Sequence, residues 1–157
     1  MPVKAQEMAA MLTRDVADSL VRTVQAMPAE KQTWKPLDVG RNAHDMVVEC
    51  AAANFFVADA LSHREIPQVD PHKRDELRAQ ADTMDKALPL LRESVERLIR
   101  AQENFPDEFL PETVTLPFGP GLTRSFAWVM MIGYWNMAYH LGQINYIQTL
   151  YGDMDMH

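Results

Sequence analysis

At 157 residues the chain fits one domain and can bury a core without disulfide or metal staples. Its formal charge of −7, with Lys and Arg scattered rather than striped, argues against a DNA or RNA partner, because phosphates must be met by clustered positive charge. A hydrophobic content of 47% with 24% charged residues excludes a disordered chain and matches an ordinary globular one.

The single cysteine, Cys50, excludes an intrachain disulfide framework and suits a reducing compartment. The opening residues lack the apolar stretch of a signal peptide. No apolar run is long enough to cross a bilayer, so the expected location is cytoplasmic, with no membrane partner.

The first helix is expected over roughly 5–26. Met8, Leu12, Val16, Leu20 and Val24 recur every fourth residue, with Arg14, Asp15, Asp18 and Arg22 off the stripe. It ends before Met27-Pro28, because proline disfavours helical geometry in the residue before it. A loop with Trp34 and Pro36 as apolar anchors folds back onto the bundle end, and Asp38 is a candidate N-cap for the next helix.

The second helix is expected over about 39–61. On a helical wheel Met46, Cys50, Val57 and Leu61 gather on one side, while Arg41, His44, Asp45 and Asp59 gather on the other. The third is expected over about 73–103, from the spacing of Leu77, Ala81, Met84, Leu88, Leu91, Val95 and Leu98, with a kink at Pro89. A Pro/Gly-rich connection over 104–122 has a short extended piece at Thr113–Leu116. The fourth helix is expected from Thr123 or Ser125 to Tyr151, with Gly152 as its stop. The reading is a single all-α domain over 1–157, a four-helix bundle.

The fourth helix is apolar nearly all round, yet carries Asn136 and His140 one turn apart on one face, with Gln143 on the same stripe. Buried polar groups need partners. On the second helix Glu49 lies at the edge of the apolar face, so a Glu49/Asn136/His140 cluster between facing helices is expected. The aromatic excess of Trp128, Tyr134, Trp135 and Tyr139 exceeds one core seam and points to a partner subunit, hence a homodimer.

Trp34-Lys35-Pro36 ahead of the second helix, and the run from Asn136 through His140, Gly142 and Gln143 on the fourth, resemble the DinB-like (damage-inducible) superfamily, whose last helix carries His-x3-His-x-Gly-Gln. The resemblance spans essentially the whole chain. It implies an up-down-down-up four-helix bundle, commonly dimeric, with a divalent metal held by three histidines. It also implies thiol-dependent S-transferase or hydrolase chemistry with a low-molecular-weight thiol as cofactor. By this resemblance His140 takes the place of the second last-helix histidine, Asn136 that of the first, and Glu49 that of the second-helix histidine; an alternative register places His44 there. One imidazole, one carboxylate and one amide make a harder donor set than three imidazoles, open to Zn²⁺, Ni²⁺ or Mn²⁺. The same residues without metal would form a hydrogen-bonded cluster in a non-enzymatic, ligand-binding or structural dimer.

Overall fold

The computed structural model describes residues 2–157. Seven α-helices and one hairpin follow in order: α1 (Ala5–Ala26), α2 (Ala29–Gln32), α3 (Ala43–His63), α4 (Pro71–Gln80), α5 (Met84–Glu103), β1 (Thr113–Leu116), β2 (Leu122–Ser125), α6 (Phe126–Val129) and α7 (Ile132–Leu150). Helices α1, α3, α5 and α7 make a four-helix bundle. Each of α1 and α3 packs between α5 and α7.

Side-chain contacts give the helix directions. Early α1 meets late α5, since Gln102 donates to Thr13 Oγ1 at 3.0 Å. Late α1 meets late α7, where Gln148 reaches the Thr23 carbonyl at 3.3 Å. The start of α3 meets the start of α5, where His44 bonds the Ala81 carbonyl at 2.7 Å. The first half of α3 meets the middle of α7, where Glu49 meets His140. With α1 taken as up, α3 and α5 run down and α7 runs up, and the parallel α3 and α5 require the long 64–83 crossover that carries α4.

One end of the core is built from Leu20, Val24, Met46, Val47, Leu91 and Met137, and the hairpin end from Val57, Leu61, Leu98, Phe105, Phe126 and Met130. Trp34 folds back as its composition suggests: its ring stands edge-on to Tyr151, with centroids 6.4 Å apart.

Three helix boundaries differ from the periodicity reading. The second helix starts at Ala43 rather than Val39, and its N-cap is Asn42, whose Oδ1 accepts from the Asp45 N–H at 2.7 Å. Asp38 instead lies in a single 3₁₀ turn over Pro36–Asp38, with Leu37 and Asp38 both at positive φ. That left-handed backbone cannot continue into an α-helix. The third helix is two pieces, broken at Ala81–Thr83 and not at Pro89, which lies within α5. His44 occupies the Ala81 carbonyl that a continuous helix would give to Asp85.

The fourth helix is also interrupted. Thr123–Ser125 belong to β2, which pairs antiparallel with β1, Leu116 facing Leu122. Ser125 caps the short α6 by accepting from the Trp128 N–H. Gln102 then takes the Met130 carbonyl at 3.0 Å, which holds the break before α7 open. Gly152 does stop the helix, at φ 94. The Asp153 N–H returns to the Gln148 carbonyl in a Schellman arrangement.

Candidate functional site

Glu49 projects from the margin of α3 and His140 from the inner face of α7, and the antiparallel pairing of these helices brings them together. His140 is 1% exposed. Its Nε2 lies 3.2 Å from Glu49 Oε1, and its Nδ1 lies 2.7 Å from Gln143 Oε1, three residues further along the helix. Arg41, just before α3, donates from Nη2 to the other Glu49 oxygen. The row Arg41–Glu49–His140–Gln143 is continuous.

The electrostatics follow from this row. The Glu49 carboxyl is lowered from 4.5 to about 2, chiefly by the hydrogen bond from His140 and then by the Arg41 guanidinium, against the opposing effect of burial. Glu49 is therefore ionised throughout the neutral range. Cys50, its neighbour, is fully buried, and burial raises its thiol far above the ordinary range. It is an inert core side chain and not a nucleophile.

Asn136 is placed differently from the hydrogen-bonded cluster the sequence suggests. It makes no hydrogen bond to Glu49, whose partners are Arg41 and His140. Its Oδ1 is buried with no partner at all. His44 does not lie on a charged outer face. It is buried, and donating from Nε2 to the Ala81 carbonyl it fastens α3 to the start of α5. His44 makes no hydrogen bond to Glu49, Asn136 or His140.

The fit of a metal to these residues turns on their donor chemistry. His140 is held at both ring nitrogens, Nδ1 by Gln143 and Nε2 by Glu49, and because the ionised carboxylate can only accept, Nε2 carries a proton toward it. A divalent metal held by His140 and Glu49 would take the place of that proton. Gln143 and Arg41 have the character of outer partners that orient metal-binding His and Glu side chains. Among the described residues no three His, Cys, Asp or Glu side chains converge to hold a metal, and the oxygen of Asn136, one turn before His140 on α7, is buried without a partner. Imidazole, carboxylate and amide together would make a harder donor set than three imidazoles.

A surface groove of about 430 Å³ opens beside this row. Arg41 and Gln143 form its polar wall, and Met46, Tyr139, Tyr146 and Leu150 form much of the rest. Small molecules reaching the groove would meet the two side chains that hold Glu49 and His140.

Sequence reasoning missed Arg41 and Asn54. Extending the second helix back to Val39 put Arg41 on the charged face opposite the apolar side, whereas the helix starts at Ala43 and the preceding backbone brings the guanidinium alongside Glu49. Asn54 lies fully buried on α3, donating to Ser94 Oγ at 3.2 Å and contacting Met137 Sδ at 3.6 Å. Its position on the apolar side of α3, beside Val57 and Ala58, was the available signal.

Among the described residues no helix is long and apolar enough to cross a membrane. No curated protein matches the chain in sequence. Several solved structures share its fold. A conserved protein from Enterococcus faecalis superposes with a TM-score of 0.74 at 12% identity, over 95% of this chain and 98% of that one. YfiT from Bacillus subtilis, described as a probable metal-dependent hydrolase with an unusual four-helix bundle topology, gives 0.72 at 14% identity, over 94% and 87%. A mycothiol-dependent maleylpyruvate isomerase gives 0.69 at 18% identity, covering 92% of this chain but only 61% of that one, so this chain spans less than two thirds of the isomerase. The family model of the DinB superfamily matches residues 12–144, most of the chain including Glu49, Asn136 and His140, and the chain belongs to that superfamily.

Proposed function

We propose that this protein carries out divalent-metal-assisted chemistry on a small molecule, thiol transfer or hydrolysis, at Glu49, Asn136 and His140. The observation that carries this reading is the row Arg41–Glu49–His140–Gln143, which sets an imidazole nitrogen 3.2 Å from an ionised carboxylate oxygen. The orphaned Asn136 oxygen adds a third donor. A mycothiol-dependent enzyme and a probable metal-dependent hydrolase on the same fold support the choice of chemistry.

Each residue has a separable task. Gln143 orients the imidazole through its contact with Nδ1. Arg41 holds one carboxylate oxygen and turns the other toward His140. Zn²⁺, Ni²⁺ or Mn²⁺ bound there would acidify a coordinated water or low-molecular-weight thiol and so supply a nucleophile at neutral pH. The groove beside Arg41 and Gln143 receives the substrate. A lone cysteine buried as a thiol fits a reducing, cytoplasmic setting.

The test is metal content by plasma mass spectrometry on tag-free protein after incubation with Zn²⁺, Ni²⁺ or Mn²⁺, alongside Glu49→Ala and His140→Ala. Near-stoichiometric metal in the wild type, lost in both folded variants, is the expected result. Wild type without metal, or variants that retain it, would remove the reading.

A second reading has its own observation. Tyr139, Tyr146 and Leu150 on the outer face of α7 are about half exposed or more, an apolar stripe for a soluble helix. A metal-free homodimer that buries this stripe would cover the groove. Sedimentation velocity at micromolar concentration separates the two, since the dimer reading requires a dimer.

A further inference from the structure

The hairpin side of α7 carries a second concavity that the Glu49–His140 row does not use. Trp128, Met131, Ile132 and Trp135 line it from the helix side, and Phe118 and Leu122 from the hairpin. Its volume is about 430 Å³, within the usual range of small-molecule sites of roughly 300–1,000 Å³. Trp128 and Trp135 remain 45% and 63% exposed, a large aromatic surface left in water.

The hairpin is built to reach this place. Gly119 and Gly121 adopt φ of 57 and 95, a backbone that other residues rarely take. The turn they allow brings Phe118 against Phe56 of α3, with centroids 6.0 Å apart. Leu122 and Arg124 are two apart on β2 and so share a face. Arg124 lies with its guanidinium carbon 5.4 Å from the centre of the Trp128 ring. Its one hydrogen bond is to the Thr123 carbonyl, and among the described residues it pairs with no carboxylate.

An apolar cavity with one uncommitted cation at its rim selects for a particular ligand. The lining offers almost nothing to satisfy the hydroxyls of a sugar or the polar edges of a nucleobase, and burying those without partners is costly. An aryl or acyl body loses no hydrogen bonds on entry, and a terminal carboxylate can take the forked donors of Arg124. We propose that this pocket binds a small amphipathic carboxylate, an aryl-alkyl or short acyl acid, with its body between Trp128 and Trp135 and its carboxylate on Arg124. This site stands whether or not a metal occupies the Glu49–His140 row.

The probes are 4-phenylbutyrate and 4-phenylbutanol, which share a body and differ in charge. Binding to the full chain is read by tryptophan fluorescence, because two of the three tryptophans wall the pocket and Trp34 packs elsewhere. The acid is expected to bind saturably and about fivefold more tightly than the alcohol, as befits a partly solvated ion pair. Arg124→Gln, at an exposed position, should bring the acid down to the alcohol without changing the alcohol. Trp135→Ala, with its fold checked by circular dichroism, should weaken both by about tenfold. The proposal falls if neither probe saturates, or if acid and alcohol bind alike in wild type and Arg124→Gln. It also falls if sedimentation shows a dimer that Trp135→Ala dissociates, because a second copy would then be the occupant.

Discussion

Replacing Glu49 by Gln keeps the side-chain shape and removes its charge, so it isolates the ion-paired row. In the folded protein the carboxyl is held down from 4.5 to about 2, first by the His140 hydrogen bond and then by Arg41. At about 1.4 kcal/mol per pH unit the depression from 4.5 to about 2 has an upper bound of about 3.5 kcal/mol. The side chain is 30% exposed, and solvent screening reduces the contribution to about 1–2 kcal/mol. A carboxyl lowered by folding stabilises the protein fully above its unfolded value and loses that contribution as protons bind to both states. Wild type should therefore exceed Glu49→Gln by about 1–2 kcal/mol at pH 7. The difference should shrink as pH falls from about 4.5 and be lost as pH passes below about 2. Urea unfolding of both proteins between pH 7 and pH 2.5 measures it, and Asp82, Asp107 and Asp153, which are also lowered, act equally in both and cancel. A stability difference that stays constant with pH would refute the assignment of Glu49 as an ionised partner of His140.

Gly133→Ala should lower the melting temperature. A Cβ there would sit 2.4 Å from Leu98 Cδ2 and 2.6 Å from Asn54 Oδ1, an overpacking cost of about 1–3 kcal/mol that outweighs the roughly 1 kcal/mol helix-propensity gain. Cys50 should resist a thiol reagent such as dithionitrobenzoate in native buffer and react promptly in denaturant, since burial both shields it and suppresses its thiolate; fast labelling of the native protein would contradict its core position. His44→Ala should destabilise by about 1–3 kcal/mol by leaving the Ala81 carbonyl without its partner, while leaving any metal content at Glu49 and His140 unchanged; lost metal would restore the alternative register.

The sequence by itself determined the helix count of the bundle, the polar residues of α7 and the place of Glu49 at the core margin. These follow from periodicity, which records which faces each helix buries, and the Asn136-to-Gln143 run was distinctive enough to point to the family. The helix breaks were illegible because each is held by a residue distant in sequence: His44 takes the Ala81 carbonyl, and Gln102 takes that of Met130. No local pattern around Ala81 or Met130 announces such a capture. Arg41 was misplaced for a related reason, since a wheel assumes helical backbone and the left-handed Leu37 and Asp38 end that assumption. The pairing of Glu49 with His140 required the antiparallel register of α3 against α7, and the orphaned Asn136 oxygen required knowing that no neighbour reaches it. Which polar groups meet, and which are left unpaired, depends on packing distances between helices, and those exist only once the chain has folded.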